Sequence, residues 1–253
     1  MKKILLIQLL FSFTIADLIT PENGSTIFRT HVLFEWELEN NITNYHFQLS
    51  HDENFYSLIF EDTTFSTIHI QKENIDWNQN YFWRVKGLNG DWINQFQFET
   101  GNSISNSYTN EISPNLTQDG LTAFGSFFNY YSAIIDNSGN EIWNSGNDNF
   151  VYYFTNKWGQ FFGSLYLPSL ENNLPGVEIN SGNEIIWQEP NDHFLHHELI
   201  QLPNGNYMGI VETAQFGPIP PGGSWSQLFQ AVGYQVDGVT PEFTWVGDRI
   251  VEW

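Results

Sequence analysis

The most reactive stretch of the sequence is Asp192-His193-Phe194-Leu195-His196-His197-Glu198, three imidazoles and two carboxylates within seven residues. Histidine changes charge near neutral pH, so such a cluster can serve as general acid or base, as a nitrogen nucleophile or as a metal ligand set. The chain has no Cys, which excludes a disulfide framework, a thiolate metal site and a Cys nucleophile. The other four histidines, His31, His46, His51 and His69, fall where apolar and polar residues alternate, and they read as ordinary strand or surface side chains.

The cluster runs directly into Leu199-Ile200-Gln201-Leu202-Pro203-Asn204-Gly205-Asn206-Tyr207-Met208-Gly209-Ile210, a hairpin pattern with Pro-Asn-Gly as its turn. That puts His196 and His197 at the start of a strand, where neighbours face opposite sides of the sheet. The residue pattern leaves three uses open. His197-Glu198-Leu199-Ile200-Gln201 opens like a zinc-protease helix, but Gln stands where the second His belongs and the segment reads as a strand. A two-histidine metal site completed by Asp192 or His193 is geometrically open. A structural use has His197 in a hydrogen-bonding slot with His196 exposed, and a catalytic use sends one of the two into a channel.

The elements around the cluster are β-strands throughout. From Leu18 to about Thr100, short aromatic or β-branched runs alternate with turn residues at roughly 8–12-residue spacing, the pattern of a β-sandwich. Val32-Leu33-Phe34-Glu35-Trp36, Asn44-Tyr45-His46-Phe47-Gln48-Leu49 and Tyr81-Phe82-Trp83-Arg84-Val85 each alternate inward and outward, and Gly87 and Gly90 mark a turn. Residues 101–112 are polar and rich in Asn and Ser, a linker composition. A second region follows from Ser113. In it Ala133-Ile134-Ile135-Asp136-Asn137-Ser138-Gly139-Asn140-Glu141-Ile142-Trp143 is echoed by Val177-Glu178-Ile179-Asn180-Ser181-Gly182-Asn183-Glu184-Ile185-Ile186-Trp187, with Gly139 and Gly182 43 positions apart. A degenerate third copy runs from Gly233 through Gly238 and Pro241 to Trp245, and Gly247-Asp248-Arg249-Ile250-Val251-Glu252-Trp253 reads as the first strand of another such hairpin. Hairpins repeating at about 40–50 residues point to blades of a β-propeller. The competing reading is an ordinary β-meander with two similar hairpins. Some 140 residues make at most about three blades, and closure needs at least four, so the propeller is expected to be incomplete in this chain.

Composition narrows the function classes. With 8 Lys+Arg against 29 Asp+Glu the net charge is −21, and the basic residues are scattered singly, which argues against nucleic acid and against anionic membrane surfaces. Aromatics at 17% favour sheets with large cross-strand pairs. Met1-Lys2-Lys3, the apolar run Ile4–Ile15 and Ala16 before Asp17 have the three regions of a secretory signal peptide, too short to span a bilayer. The expected location is therefore periplasmic, cell-surface or extracellular, with no transmembrane segment.

Two resemblances add to this. Residues 17–100, with Trp36 as core tryptophan, Tyr81 as the tyrosine-corner residue and Trp83 on the same strand, resemble a fibronectin type III module. Gly120-Leu121-Thr122, the Ala133–Trp143 hairpin, His196-His197-Glu198-Leu199 with Leu202-Pro203-Asn204-Gly205-Asn206-Tyr207, and Gly247–Glu252 are similar to the opening blades of the arylsulfotransferase family, over residues 113–253. That resemblance implies an exported six-bladed propeller, a site in its central channel, no cofactor and no metal. It implies transfer of a sulfuryl group from an aryl sulfate donor to a phenolic acceptor through a sulfohistidine. His196 or His197 then corresponds to a site histidine of the second blade, a stabiliser or acid–base group, while the family's nucleophilic His and site Arg belong to later blades. The 253-residue chain alone is accordingly expected to be catalytically silent. The sandwich is expected to be an adaptor for a cell-surface or glycan partner. The competing class is a non-enzymatic exported binding or adhesion protein that uses both regions as scaffolds.

Overall fold

A computed structural model describes residues 17–253 except 93, 106, 107, 111, 114, 115, 158, 169–173, 192 and 194, together with the backbone but not the side chain of His196. The expected signal peptide, 1–16, lies outside the described residues. The protein is all-β: the described residues form eighteen strands, which lie in several small sheets, none of them closed, and one six-residue helix. Among the described residues no helix is long and apolar enough to cross a membrane. The chain divides into two compact units, one running to residue 106 and including Glu141–Trp143, the other made of 107–140 and 144–253.

The described residues of the first unit form eight strands before residue 106: β1 (Leu18–Thr20), β2 (Ser25–Ile27), β3 (Val32–Trp36), β4 (Tyr45–Ser50), β5 (Leu58–Thr64), β6 (Ile68–Gln71), β7 (Asn80–Gly87) and β8 (Gln95–Thr100). They form a β1-β3-β6 sheet and a β2-β8-β7-β4-β5 sheet, antiparallel except where β2 runs parallel to β8. Successive side chains of a strand point to opposite faces, and here the inward set is nearly all large apolar groups. Val32, Phe34 and Trp36 of β3, Tyr45, Phe47 and Leu49 of β4, and Tyr81, Trp83 and Val85 of β7 are buried in one cluster that both sheets share. Phe34 meets Phe47, Trp83 and Phe98 edge-on at 5.0, 5.2 and 5.8 Å. Such pairs add about 0.5–1.5 kcal/mol each to the gain from burial. The indole N–H groups of Trp36 and Trp83 are buried without an acceptor among the described residues, so ring packing here outweighs the cost of two stranded donors. The Tyr81 hydroxyl accepts the Asp76 backbone N–H at 2.7 Å and fixes the chain five residues upstream of it.

The second unit contains β9 (Thr122–Ser126), β10 (Tyr131–Ile135), the end of β11 (Glu141–Asn144), β12 (Phe150–Lys157), β13 (Gln160–Leu165), β14 (Gly176–Asn180), β15 (Ile185–Gln188), β16 (Leu195–Gln201), β17 (Tyr207–Pro218), α1 (Ser226–Ala231) and β18 (Pro241–Glu252). β9 pairs with β10, β12-β13-β14-β15 form an up-and-down sheet, and β16-β17-β18 form another. β12 packs on β9 and β10, and β16 packs on β12, β13 and β14. Close backbone approach between β12 and β13 requires glycine at one point: a Cβ on Gly163 would stand 2.0 Å from the Val151 carbonyl oxygen.

The echoed hairpin turns share one hydrogen-bond pattern, and it sets their spacing at 44 rather than at the 43 read from the glycines. Asp136 N–H donates to Asn140 O and Gly139 N–H to Asp136 O; Asn180 N–H donates to Glu184 O and Asn183 N–H to Asn180 O. In each turn the first residue's Oδ1 accepts two backbone N–H groups, from Ser138 and Asn140 or from Gly182 and Glu184. The left-handed position is Gly139 (φ 86°) in one and Asn183 (φ 66°) in the other, so Gly182 matches Ser138 and not Gly139. Leu202–Asn206 repeats the backbone pattern, with Gly205 at φ 90°.

The expected third copy is different in the structure. Gly233–Gly238 is irregular chain after α1, and β18 is one twelve-residue strand paired along its length with β17. Gly247–Glu252 is the second half of that strand. Pro241 does not end the pairing, because it stands at the strand's first position, opposite Pro218.

Candidate functional site

The histidine cluster lies where the chain enters β16, and its two halves are held by different means. Upstream, the Glu189 side chain is fully buried and accepts the backbone N–H groups of Asn191 (2.9 Å) and His193 (2.8 Å). It closes the turn that presents His193. Asp192, the acid of the metal alternative, lies outside the described residues. His193 Nδ1 stands 3.9 Å from Glu189 Oε1 and 3.4 Å from Arg249 Nη2. Arg249 arrives from β18 because Leu195, Val211 and Arg249 are cross-strand partners in one row of the sheet.

Downstream, the strand does not alternate simply. Leu195 pairs with Val211 and Leu199 with Gly209, so β16 carries two more residues than β17 over this interval. The surplus is taken up by a bulge in which His197 has φ 65°, a left-handed conformation that costs a non-glycine residue about 1–3 kcal/mol. The expectation that adjacent His196 and His197 face opposite sides assumed an unbroken ladder and does not carry across this bulge. The His196 side chain lies outside the described residues. His197 is exposed, and its ring meets Phe127 edge-on at 5.0 Å and Tyr153 at 6.3 Å.

Tyr153 braces the bulge from beneath. Its hydroxyl is 2.6 Å from Ser164 Oγ, donates toward Leu195 O at 3.3 Å and is reached by the His197 backbone amide. Burial pushes this phenol up to about 12 against the pull of those Ser164 and His197 hydrogen bonds, so it remains a protonated strut at neutral pH. A second buried polar group lies behind β16. Tyr207 donates a short hydrogen bond to the buried Glu178 carboxylate, whose other oxygen accepts Gln160 Nε2 at 2.8 Å. Burial and the Glu178 carboxylate raise the Tyr207 phenol far above its ordinary value, while Trp187 stacks on its ring at 3.9 Å.

The first unit's histidines are engaged locally. His46 reaches Glu61 at 3.3 Å, His51 lies on Tyr81 at 5.1 Å, and His69 stacks on Phe60 at 4.7 Å. Among the described residues no three His, Asp or Glu side chains are grouped so as to hold a metal ion. Glu189, Arg249 and Tyr153 were missed in the sequence reading. Glu189 had a local signal, a carboxylate four residues before a histidine across a Pro-Asn turn; Arg249 stood within the Gly247–Glu252 motif, but its meeting with His193 had no local signal, since only the pairing of β16, β17 and β18 brings it near.

Compared with protein-family models and with curated protein sequences, the chain matches none.

Proposed function

We propose that the second unit is the opening part of an arylsulfotransferase-like propeller, that the first is a fibronectin type III-like sandwich, and that the whole gene product, exported by residues 1–16, transfers sulfuryl groups between phenols. The observation that carries this reading is the meeting of two motifs of the resemblance. The His196–Leu199 stretch, in β16, and the Gly247–Glu252 strand, in β18, lie in one three-stranded sheet. The repeated hairpin turns and the serial packing of β9–β10, β12–β15 and β16–β18 favour blades over a single meander. Two sheets around Trp36 and the Tyr81 hydroxyl on the Asp76 backbone favour the sandwich.

In the reaction an imidazole nitrogen attacks sulfur, the S–O bond to the aryl group breaks, and the phenolate leaves and takes a proton. The acceptor phenol oxygen then attacks sulfur, the N–S bond breaks, and the acceptor's proton passes to a base. In this reading His196 and His197 are site groups that stabilise charge or carry protons, and the attacking histidine belongs to a later blade. The test is phenol-dependent release of 4-nitrophenol from its sulfate ester by the gene product read to its stop codon. Turnover reduced on the order of 10²-fold in His196→Ala or His197→Ala is the expected result and identifies the working histidine. A folded product that transfers to no phenol would overturn the reading and leave a binding scaffold.

A further inference from the structure

We propose that the outer face of β4 and β7 in the first unit binds a neutral glycan, with one sugar ring in a small cavity at the end of the two strands and the next ring lying on Trp92. The proposal does not rest on the sulfuryl-transfer reading.

The starting observation is a cavity of about 280 Å³ lined by residues 41–44 and 88–90. It stands at the low end of the range for ligand pockets, about 300–1,000 Å³. Its walls are fixed by the backbone: Leu88 N–H donates to Asn44 O at 2.9 Å, and Ile42 packs on Gly87, where a Cβ would come within 3.0 Å of the Ile42 Cδ1. Among the described residues the lining carries no charged side chain. The amides of Asn41, Asn44 and Asn89 and the Thr43 hydroxyl supply both donors and acceptors, and Ile42 and Leu88 supply apolar surface. A sugar ring divides in the same way, with hydroxyl groups at its rim that donate and accept and with apolar C–H faces.

An aromatic platform adjoins the cavity. Tyr45, Phe47, Trp83 and Val85 point into the core, so His46, Gln48, Arg84 and Lys86 stand on the outer face, His46 opposite Lys86 and Gln48 opposite Arg84. Trp92, from the loop after β7, lies on this layer: Arg84 Cζ is 4.1 Å, Lys86 Nζ 4.8 Å and the His46 ring 5.2 Å from its ring. All three reach the indole from the sheet, which turns its other face outward, and Trp92 is partly exposed. Arg84 is held in turn by the Phe55 ring at 3.8 Å and by Gln48 Oε1, which accepts Nε at 3.0 Å and Nη2 at 2.7 Å. A platform fixed before the ligand arrives loses little freedom on binding. Asn44 and Leu88 stand two positions beyond His46 and Lys86, which sets cavity and platform about 7 Å apart along one face. Adjacent units of an oligosaccharide can occupy both. A net charge of −21 repels acidic polysaccharides and leaves neutral ones unaffected.

The experiment is calorimetric titration of the whole chain with hexasaccharides of glucose, mannose, galactose and xylose, with hexagalacturonate as the acidic arm. The expected result is saturable binding of at least one neutral series, with shifts of the Trp92 indole and the Asn89 side-chain amide in ¹H–¹⁵N spectra. Affinity falls about tenfold or more in Trp92→Ala, less in Trp92→Phe, which keeps a ring, and several-fold in Asn89→Ala. The dispersion of the amide spectrum checks that each variant is folded, and Asn89→Ala, at an exposed position, keeps the test open if loss of Trp92 disturbs its loop. No saturable binding of any neutral series, or equal affinity in wild type and the folded Trp92→Ala and Asn89→Ala variants, would overturn the site. Tighter binding of hexagalacturonate, lost in Lys86→Gln, would overturn its assignment to neutral glycans.

Discussion

Burial follows two different rules in the two units. In β3 and β7 of the first unit it alternates, with one face packed and the other wet. In β13 and β14 of the second unit almost every residue is buried, Gln160 through Ser164 and Gly176 through Ile179. A strand covered on both faces has no wet side for its polar residues, so those it carries must find partners inside. They do so between sheets. Ser132 Oγ of β10 donates to Phe150 O and accepts Tyr152 N–H of β12, Tyr153 of β12 reaches Leu195 O of β16, and Tyr207 of β17 binds Glu178 of β14. The first unit joins its sheets through rings, and the second stitches its sheets with hydrogen bonds between buried polar groups.

The largest test of this contrast is Trp83→Ala, which removes a fully buried ring from the middle of the aromatic cluster. A loss of about 3–5 kcal/mol is expected, confined to the first unit when hydrogen exchange is read segment by segment during urea unfolding. Trp83→Phe costs far less because the lost indole N–H has no acceptor among the described residues. Equal loss of protection in both units would show one cooperative body and dissolve the comparison. Next is Gly163→Ala, whose methyl meets the Val151 carbonyl; overpacking against backbone places it near the upper end of about 1–3 kcal/mol, and exchange should rise first in β12 and β13.

The smallest effect sharpens the comparison most. Tyr153→Phe cuts one stitch at a cost of about 1–2 kcal/mol at pH 7, measured as a shift of the urea midpoint. Because the Tyr153 phenol is raised in the folded chain, the unfolded chain ionises first, so its contribution is complete below pH ~10 and is lost as pH rises toward about 12. The gap between wild type and Tyr153→Phe should therefore narrow between pH 10 and 11. A gap that stays constant would mean the hydroxyl is not buried as described.

Local elements were legible in the sequence, because alternation, Gly placement and Asn-rich turns act over a few residues. Val32–Trp36, Tyr45–Leu49 and the Pro203-Asn204-Gly205 hairpin are where their residues put them. The repeat was visible but out of step by one residue, since glycine was taken as its marker while the conserved physical features are an Oδ1 acceptor and a left-handed fourth residue that Asn183 supplies as well as Gly139. The candidate site was legible as a cluster and not as a geometry. The bulge at His197 is imposed by Leu195 and Leu199 both turning inward against Phe162 and Val211, and Arg249 reaches His193 only through two strand pairings. Tertiary packing decides both, and no window along the chain contains it.

The face-to-face rings of Trp187 and Tyr207, tilted by only 6°, give the second unit an optical consequence. Chromophores stacked so closely exchange excitation, so light absorbed by Tyr207 passes to Trp187 and on toward Trp253, 5.9 Å away, and the stacked rings contribute to the near-ultraviolet dichroism as a pair. The same phenol is bonded to Glu178, which ties the colour of the stack to the integrity of the β14–β17 bridge. The protein thus carries, without any added label, a spectroscopic gauge of whether its second unit is assembled.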